Sequence, residues 1–528
     1  MKKKRYKLYK HQEKAINLVL KHKHFPLFMD MGTGKTPTIV RLAEKLYKEQ
    51  GITRVMIVVP KNLIYNWMRE INRFQNLKRK EYIIESLDQR SKAQRHEAYI
   101  DFLKEDLNNL TLKELKAQGH KGKKSDIIDS ISTPRLQILL VNYEKSRVMF
   151  KEIRKFKPQV LVVDEIHKLK NPDAAISKKV LQLTRGCEYR IGMTGTPMSN
   201  GWEDIFMPYN IIYGSESPFG TKFKDFREEH MIIRNYKGYP EIMGYVDEDL
   251  LEKVVKDTSY LVKLEDCIDL PKQLDDLYIT YELEPKAAKL YRDMDKEMVA
   301  ILDEVSQELS RNELKKLLKA NDIRINKRDS YRQLLFKAAD LLENVASAEL
   351  AITKALRLQQ ITGGFVKAED GTIRQVSKAG INTVVDFVKD YHEPIIIFCK
   401  YLPEIEGLQK ELAKIKKNKK SLKIRTYHGK TKNKDKINLD FQAGKIDVLI
   451  LQISAGSVGL NLQRASKVMF YSQTASYEEF KQAVARILRN GQKKRCQVIH
   501  VMCEIENSID FHILETIRSK AKRAERLR

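Results

Sequence analysis

Short, nearly unbroken runs of aliphatic residues recur along this chain, each followed by a stretch with helical spacing. "RVMIVVP" (54–60), "LQILLVNY" (136–143), "QVLVVDE" (159–165) and "YRIGMTGTP" (189–197) form a first series. "PIIIFCK" (394–400), "KIRTYHG" (423–429), "DVLILQIS" (447–454), "KVMFYSQ" (467–473) and "CQVIHVM" (496–502) form a second. A strand that is apolar on both faces is one buried on both faces, as in a parallel sheet covered by helices on either side. Two such series predict an α/β chain with two lobes, each built on a parallel sheet. A length of 528 residues agrees with more than one domain.

Between the two series the texture changes. Residues 283–345 are rich in Leu, Lys, Glu and Ala, with helical spacing and little strand signal, and a similar polar helical stretch occupies about 86–133. The division that follows is a first lobe over 1–230 with an insertion at about 86–133, a connector and helical protrusion over 231–345, and a second lobe over 346–528.

The chain carries 98 Lys and Arg against 70 Asp and Glu, a formal net charge of +28. Such an excess favours a polyanion, nucleic acid before an anionic membrane surface, because the basic residues are dispersed rather than set on one amphipathic helix. Charge alone does not separate DNA from RNA. No run approaches 18 apolar residues, so no membrane span is expected. "MKKKRYKLYK" is basic without the apolar stretch of a signal peptide, and a cytoplasmic location, or a nucleus reached by other means, is expected. Cys187, Cys267, Cys399, Cys496 and Cys503 show no zinc-type spacing and read as reduced thiols.

One glycine-rich stretch sits directly after an apolar run: "LFMDMGTGKTPT" (27–38). Small residues let the backbone wrap an anion, and a helix starting near Lys35 would aim its free N–H groups at that anion. Lys35 adds a positive charge, and the Thr36 hydroxyl can ligand magnesium. The strict phosphate-loop pattern fails at its first Gly, which falls on Met29. A second acid to hold the metal is offered by "VLVVDEIHKLKN" (160–171), where Asp164 ends an apolar strand and Glu165 follows to orient or deprotonate water. "QAVARILRNGQ" (482–492) offers positive charge for a transferring phosphoryl group: Arg486 and Arg489 are three apart and are expected on one helical face.

With these pieces in order, the chain resembles a superfamily 2 helicase-type ATPase, and more closely the Swi/Snf branch of DNA translocases. "LYKHQ" (8–12) resembles the Q motif, which implies that Gln12 reads adenine. "DMGTGKT" (30–36) resembles motif I in this superfamily's own form, with Met31, Gly32, Thr33, Gly34, Lys35 and Thr36 around ATP. "VVPKNLIYNWMREINRF" (58–74) resembles motif Ia, with Lys61 and Trp67 in familiar places, and "LLVNYEKSR" (139–147), with Tyr143, the next DNA-side motif. "DEIHKLKN" resembles a DEAH-box-like motif II. "MTGTPMSN" (193–200) resembles motif III, in which Thr194, Gly195 and Thr196 would couple the ATP state to lobe movement. "LRLQQITGGF" (356–365) resembles the helix leading into the second lobe, and "IIIFCKY" (395–401) motif IV. "LILQISAGSVGLNLQRAS" (449–466) resembles motif V, with Ser454, Gly456 and Gly459 near the cleft, and "QAVARILRNGQ" motif VI.

The resemblance implies two RecA-like lobes with parallel sheets plus helical insertions, ATP and Mg2+ as cofactors, and DNA, duplex or branched, as the track. It leaves room for a partner nuclease or replication and recombination proteins. "YSQTASYEEFKQA" (471–483) departs from the branch's usual approach to motif VI and suits a compact prokaryotic or phage-type member, in the host cytosol if phage-encoded. An RNA-directed helicase of the same superfamily is one alternative; a DNA-binding scaffold with a vestigial ATPase is another. The stretches 110–131 and 309–335 each read as a helical hairpin around a basic loop, similar to the small SAP-type DNA-binding hairpin. The first puts Lys121, Lys123 and Lys124 in that loop, and the second Lys319, Arg324, Lys327 and Arg328.

Overall fold

Seven parallel strands make the first sheet of the computed structural model: β1 (His24–Met29), β2 (Arg54–Val59), β3 (Tyr82–Ser86), β4 (Leu136–Asn142), β5 (Val160–Asp164), β6 (Tyr189–Met193) and β7 (Tyr260–Val262), in the order β3-β4-β2-β5-β6-β1-β7. The structure describes residues 6–78, 81–87, 135–236, 239–267, 270–306, 315–316, 319, 355–368, 371–417, 420–431, 433–456 and 460–527. Lys121, Lys123, Lys124 and Gly459 lie outside these residues, as do nearly all of the two stretches read as SAP-like hairpins.

The aliphatic runs explain the sheet. Every residue of β4 and of β5 is buried, as a central parallel strand requires. One face packs against Ala15 and Val19 of α1 (Lys10–His22), Ile39 and Leu46 of α2 (Lys35–Gln50), and Trp67 and Ile71 of α3 (Ile64–Phe74). The helix Glu203–Tyr213 packs against β1 and β6.

The second sheet has six parallel strands: β8 (Leu277–Tyr281), β9 (Ile395–Cys399), β10 (Ile424–Tyr427), β11 (Val448–Gln452), β12 (Lys467–Phe470) and β13 (Gln497–Cys503), in the order β8-β13-β12-β9-β11-β10. Helices α4 (Ala379–Asp390) and α5 (Leu402–Leu412) pack Val384, Val388 and Leu408 on one face. The other face, with Phe398 and Leu449, is covered by Phe441 of α6 (Lys434–Gln442) and Val484 of α7 (Tyr477–Val484). A last helix, α8 (Ile509–Arg526), follows β13. The expected α/β class with two parallel sheets is what the chain forms.

The chain divides into two compact units. Residues 249–267 belong to the first compact unit and 228–248 to the second. The three-residue β7 has no strand signature of its own; it exists because Leu27–Met29 of β1 offer a ladder to Tyr260–Val262. Likewise β8 alternates in exposure because, among the described residues, it is an edge strand paired to β13 alone, so its run is not continuously apolar. Among the described residues no helix is long and apolar enough to cross a membrane.

Candidate active site

The glycine-rich stretch forms a tight loop between β1 and α2. Gly34 caps α2 at φ +85°, a conformation that favours glycine, and a Cβ there would stand 2.1 Å from Gln12 Nε2, so the Gln12 amide would have to shift. The helix begins at Lys35, as expected. Pro37 falls in its first turn, where a missing N–H costs no helical hydrogen bond. The N–H groups of Lys35 and Thr36 therefore open this helix toward the loop's concave side, an anion-binding arrangement.

Two side chains of α1 brace the loop. Gln12 is buried; its Nε2 donates to Thr33 O (3.0 Å) and its Oε1 accepts from Tyr9 N (3.0 Å). His11 Nε2 lies 2.8 Å from the same Thr33 oxygen. Thr33 Oγ1 in turn donates to Asp30 O (2.7 Å). The amide expected to read adenine thus also fixes the curvature of the phosphate loop.

The carboxylates meet the loop at the carboxyl ends of the strands, where ligand sites in such sheets lie. Asp164 ends β5 and is buried. Trp67 Nε1 donates to its Oδ2 at 2.8 Å. Burial, and next the charge of Glu165, push the Asp164 carboxyl above the ordinary aspartate range, while Lys35 and the Trp67 N–H pull it back. Lys35 Nζ stands 3.8 Å from Glu165 Oε1 and donates to Met29 O at 3.3 Å.

Glu165 itself is held at φ +55°, ψ +53°, a left-handed conformation that costs a non-glycine residue about 1–2 kcal/mol. Tyr143 compensates: its hydroxyl donates to the carbonyls of Asp164 and of Glu165, the latter at 3.0 Å. Tyr143, expected on the DNA side, thus fastens this turn with its hydroxyl. The Glu165 carboxylate is oriented from β6. Thr194 Oγ1 donates to Glu165 Oε2 (3.1 Å), and accepts from Thr196 N (3.0 Å). His167 Nδ1 lies 2.7 Å from Thr194 Oγ1. With the Thr194 proton committed to Glu165, His167 donates through Nδ1. Thr194 and Thr196 are buried, and a Cβ on Gly195 would stand 3.4 Å from both Met29 O and Met31 N, at the start of the phosphate loop. The turn after β6 is therefore wired to both carboxylate and phosphate loop.

The remaining predicted residues fall elsewhere. Lys61 is exposed in the turn after β2, and Ser454 is exposed in the turn after β11. Arg486 and Arg489 do not share a helical face, because α7 ends at Val484. Beyond it Arg486 N and Ile487 N bond back only three residues, to Ala483 and Val484, so the chain tightens out of α-geometry. Gln492 fixes this turn: its Nε2 reaches Ala465 O (2.9 Å), Gln463 O (3.0 Å) and Ile487 O (3.2 Å). Arg486 is buried, and Arg489 Nε donates to Ala485 O at 2.9 Å.

Trp67, Tyr143 and His167 all sit inside motifs legible in the sequence, but their partners are 97, 21 and 27 residues away. No spacing rule announces those contacts. For a magnesium ion the site offers the hard oxygen donors of Asp164 and Thr36, with Lys35 beside them to balance added anionic charge; a cation that keeps most of its waters fits so small a donor set. Among the described residues no group of three or more His, Cys, Asp and Glu is placed to hold a metal ion.

The chain matches the SNF2-related domain over residues 11–328 and the helicase conserved C-terminal domain over 379–491. It is similar to the ISWI chromatin-remodeling complex ATPase ISW1 of Saccharomyces cerevisiae, 23% identical over 93% of this chain and 38% of that protein. It is also similar to the CHD3-type chromatin-remodeling factor PICKLE of Arabidopsis thaliana, 26% identical over 46% of this chain and 17% of that protein. Among solved structures, the Sulfolobus solfataricus SWI2/SNF2 ATPase core in complex with dsDNA aligns over 94% of this chain and 88% of that one, at 17% identity and a TM-score of 0.39. The chain thus spans well under half the length of these curated relatives. Because the first of the two domain matches alone covers more than half of the chain, the protein belongs to the SNF2-related family.

Proposed function

We propose that this protein is an ATP-dependent DNA translocase or helicase, which couples ATP hydrolysis to movement along duplex or branched DNA. The observation that carries the reading is the convergence of Lys35, Asp164 and Glu165 at the carboxyl ends of the first sheet's strands, with Lys35 Nζ 3.8 Å from Glu165 and Glu165 oriented by Thr194. Lys35 and the N–H groups opening α2 hold the β- and γ-phosphates. Asp164 and Thr36 hold magnesium, which supplies charge neutralisation on the phosphates when bound. Glu165 orients the attacking water and takes its proton. Arg486 and Arg489 supply positive charge to the phosphoryl group in flight.

Coupling follows from the same contacts. Thr194 bonds the catalytic carboxylate, so a change at the γ-phosphate is felt in the turn after β6. Lys61 and Ser454 contact the DNA backbone, and phosphate contacts give grip without reading sequence. The net charge of +28 supports a polyanionic track. The names of the relatives favour DNA over RNA, and the intact hydrolytic set speaks against a vestigial ATPase.

The test is ATP turnover alone and with duplex DNA, single-stranded DNA or RNA, beside Lys35→Ala as the inactive control. Stimulation by duplex DNA that vanishes in folded Lys35→Ala is expected. Stimulation by RNA alone, or none by any nucleic acid, would overturn the reading.

A further inference from the structure

Residues 414–436 form a strongly basic segment of the second lobe. That segment holds eleven Lys and Arg against a single acid, Asp435, a net +10 out of +28 within 23 residues. The fold places it along the open edge of the second sheet. Edge strand β10 pairs with β11 alone among the described residues. A two-stranded hairpin, Lys416–Lys417 with Lys420–Ser421, precedes its amino end, and the loop into α6 follows its carboxyl end.

The edge is built rather than trailing. Ile415 is buried, Leu422 N donates to Ile415 O (3.4 Å), and Leu422 packs on the core, so the hairpin's base is fixed. Lys416, Lys420, Lys423, Arg425, Lys430 and Lys436 are all exposed. Among the described residues none of these six has a carboxylate within 4.0 Å. The nearby acids are used otherwise: Glu411 pairs with Lys414 (2.5 Å) and Lys378 (3.7 Å), Asp440 with Lys445 (3.3 Å), and Asp447 Oδ2 accepts from Lys423 N (3.0 Å).

An edge strand often carries a lysine or two to discourage pairing with another sheet. That need does not explain a preceding hairpin and a following loop that are equally basic. Unbalanced charge at this density repels itself and calls for an anionic surface of comparable length. We infer that the β10 edge, from Lys416 to Lys436, is an accessory grip for the phosphate backbone of duplex DNA. Its hairpin is distinct from the contact proposed at Ser454, since the hairpin lies at the amino end of β10 and Ser454 follows the carboxyl end of the parallel strand β11. The inference rests on the DNA reading above.

The experiment compares the wild type with K416Q/K420Q/K423Q/R425Q in duplex binding across a salt series, with ATP turnover measured in parallel. Expected are weaker duplex binding and a log–log salt slope flattened by roughly 0.9 for each phosphate no longer neutralised. Turnover without DNA, and at saturating DNA, should match wild type. Replacement of the same three lysines by arginine should preserve binding. Unchanged affinity and slope would overturn the grip, as would turnover abolished at saturating DNA with affinity intact. Failure of the DNA reading shows differently: the wild type itself would then gain no turnover from duplex DNA.

Discussion

Glu165 carries two constraints at once, a left-handed backbone and a carboxylate aimed by Thr194. Glu165→Gln keeps the shape but accepts no proton. It is expected to bind ATP normally and hydrolyse it about 10²–10⁴-fold more slowly, as read by single-turnover hydrolysis beside nucleotide affinity; wild-type hydrolysis would remove Glu165 from the chemistry. Trp67 makes a subtler case. Its ring is buried core, yet its N–H bonds the carboxylate assigned to magnesium. Trp67→Phe retains most of the packing and deletes a hydrogen bond to a charged group, worth about 1.5–3 kcal/mol. Affinity for ATP should fall about tenfold or more in magnesium and stay unchanged in EDTA. An equal loss in both conditions would make Trp67 a packing residue only.

At the scale of elements, α5 begins on a buried acid. Glu404 Oε2 accepts from Lys400 N (3.1 Å), Tyr401 N (3.0 Å) and Ser472 Oγ (2.7 Å), which ties the end of β9 to the segment after β12. Burial raises its carboxyl from 4.5 to about 8, against the pull of those hydrogen bonds. The folded state thus holds the proton over a range where the unfolded chain has released it. That contribution to stability is full below about pH 4.5 and is lost as pH rises to about 8, by up to about 1.4 kcal/mol per pH unit. Asp510, buried nearby and raised to about 6, adds a slope at lower pH only. Between pH 6.5 and 8, then, the melting temperature of wild type should fall while that of Glu404→Gln holds nearly level. Parallel curves would show that Glu404 is ionised in the folded protein.

For the whole molecule, the assignment of Arg486 and Arg489 separates chemistry from grip. If they serve the phosphoryl group, Arg489→Ala and Arg486→Lys should each lower turnover at saturating DNA, on the order of 10³-fold for a true arginine finger, with DNA affinity largely kept. Turnover per bound complex at the wild-type level, with weakened DNA binding, would make this turn a DNA clamp. Arg489→Ala is the cleaner variant, because Arg486 is buried and its removal threatens the fold as well.

Much of this protein is legible in its amino-acid sequence alone. Continuous aliphatic runs dictate parallel strands because only a strand covered on both faces can keep them out of water. Glycine, lysine and acid at strand ends point to phosphate chemistry because small residues, positive charge and a carboxylate are what such chemistry needs. Those are local demands, and local sequence states them. Three things were decided by tertiary structure. Short edge strands such as Tyr260–Val262 exist only because a neighbour offers its ladder. The approach to Arg486 leaves helical geometry at Val484, where a helical reading of the sequence runs on, because Gln492 ties the following turn to Gln463 and Ala465. The partners of Trp67, Tyr143 and His167 were invisible for a common reason: a hydrogen bond is specified by where two parts of the chain meet in space, and sequence separation carries no measure of that distance.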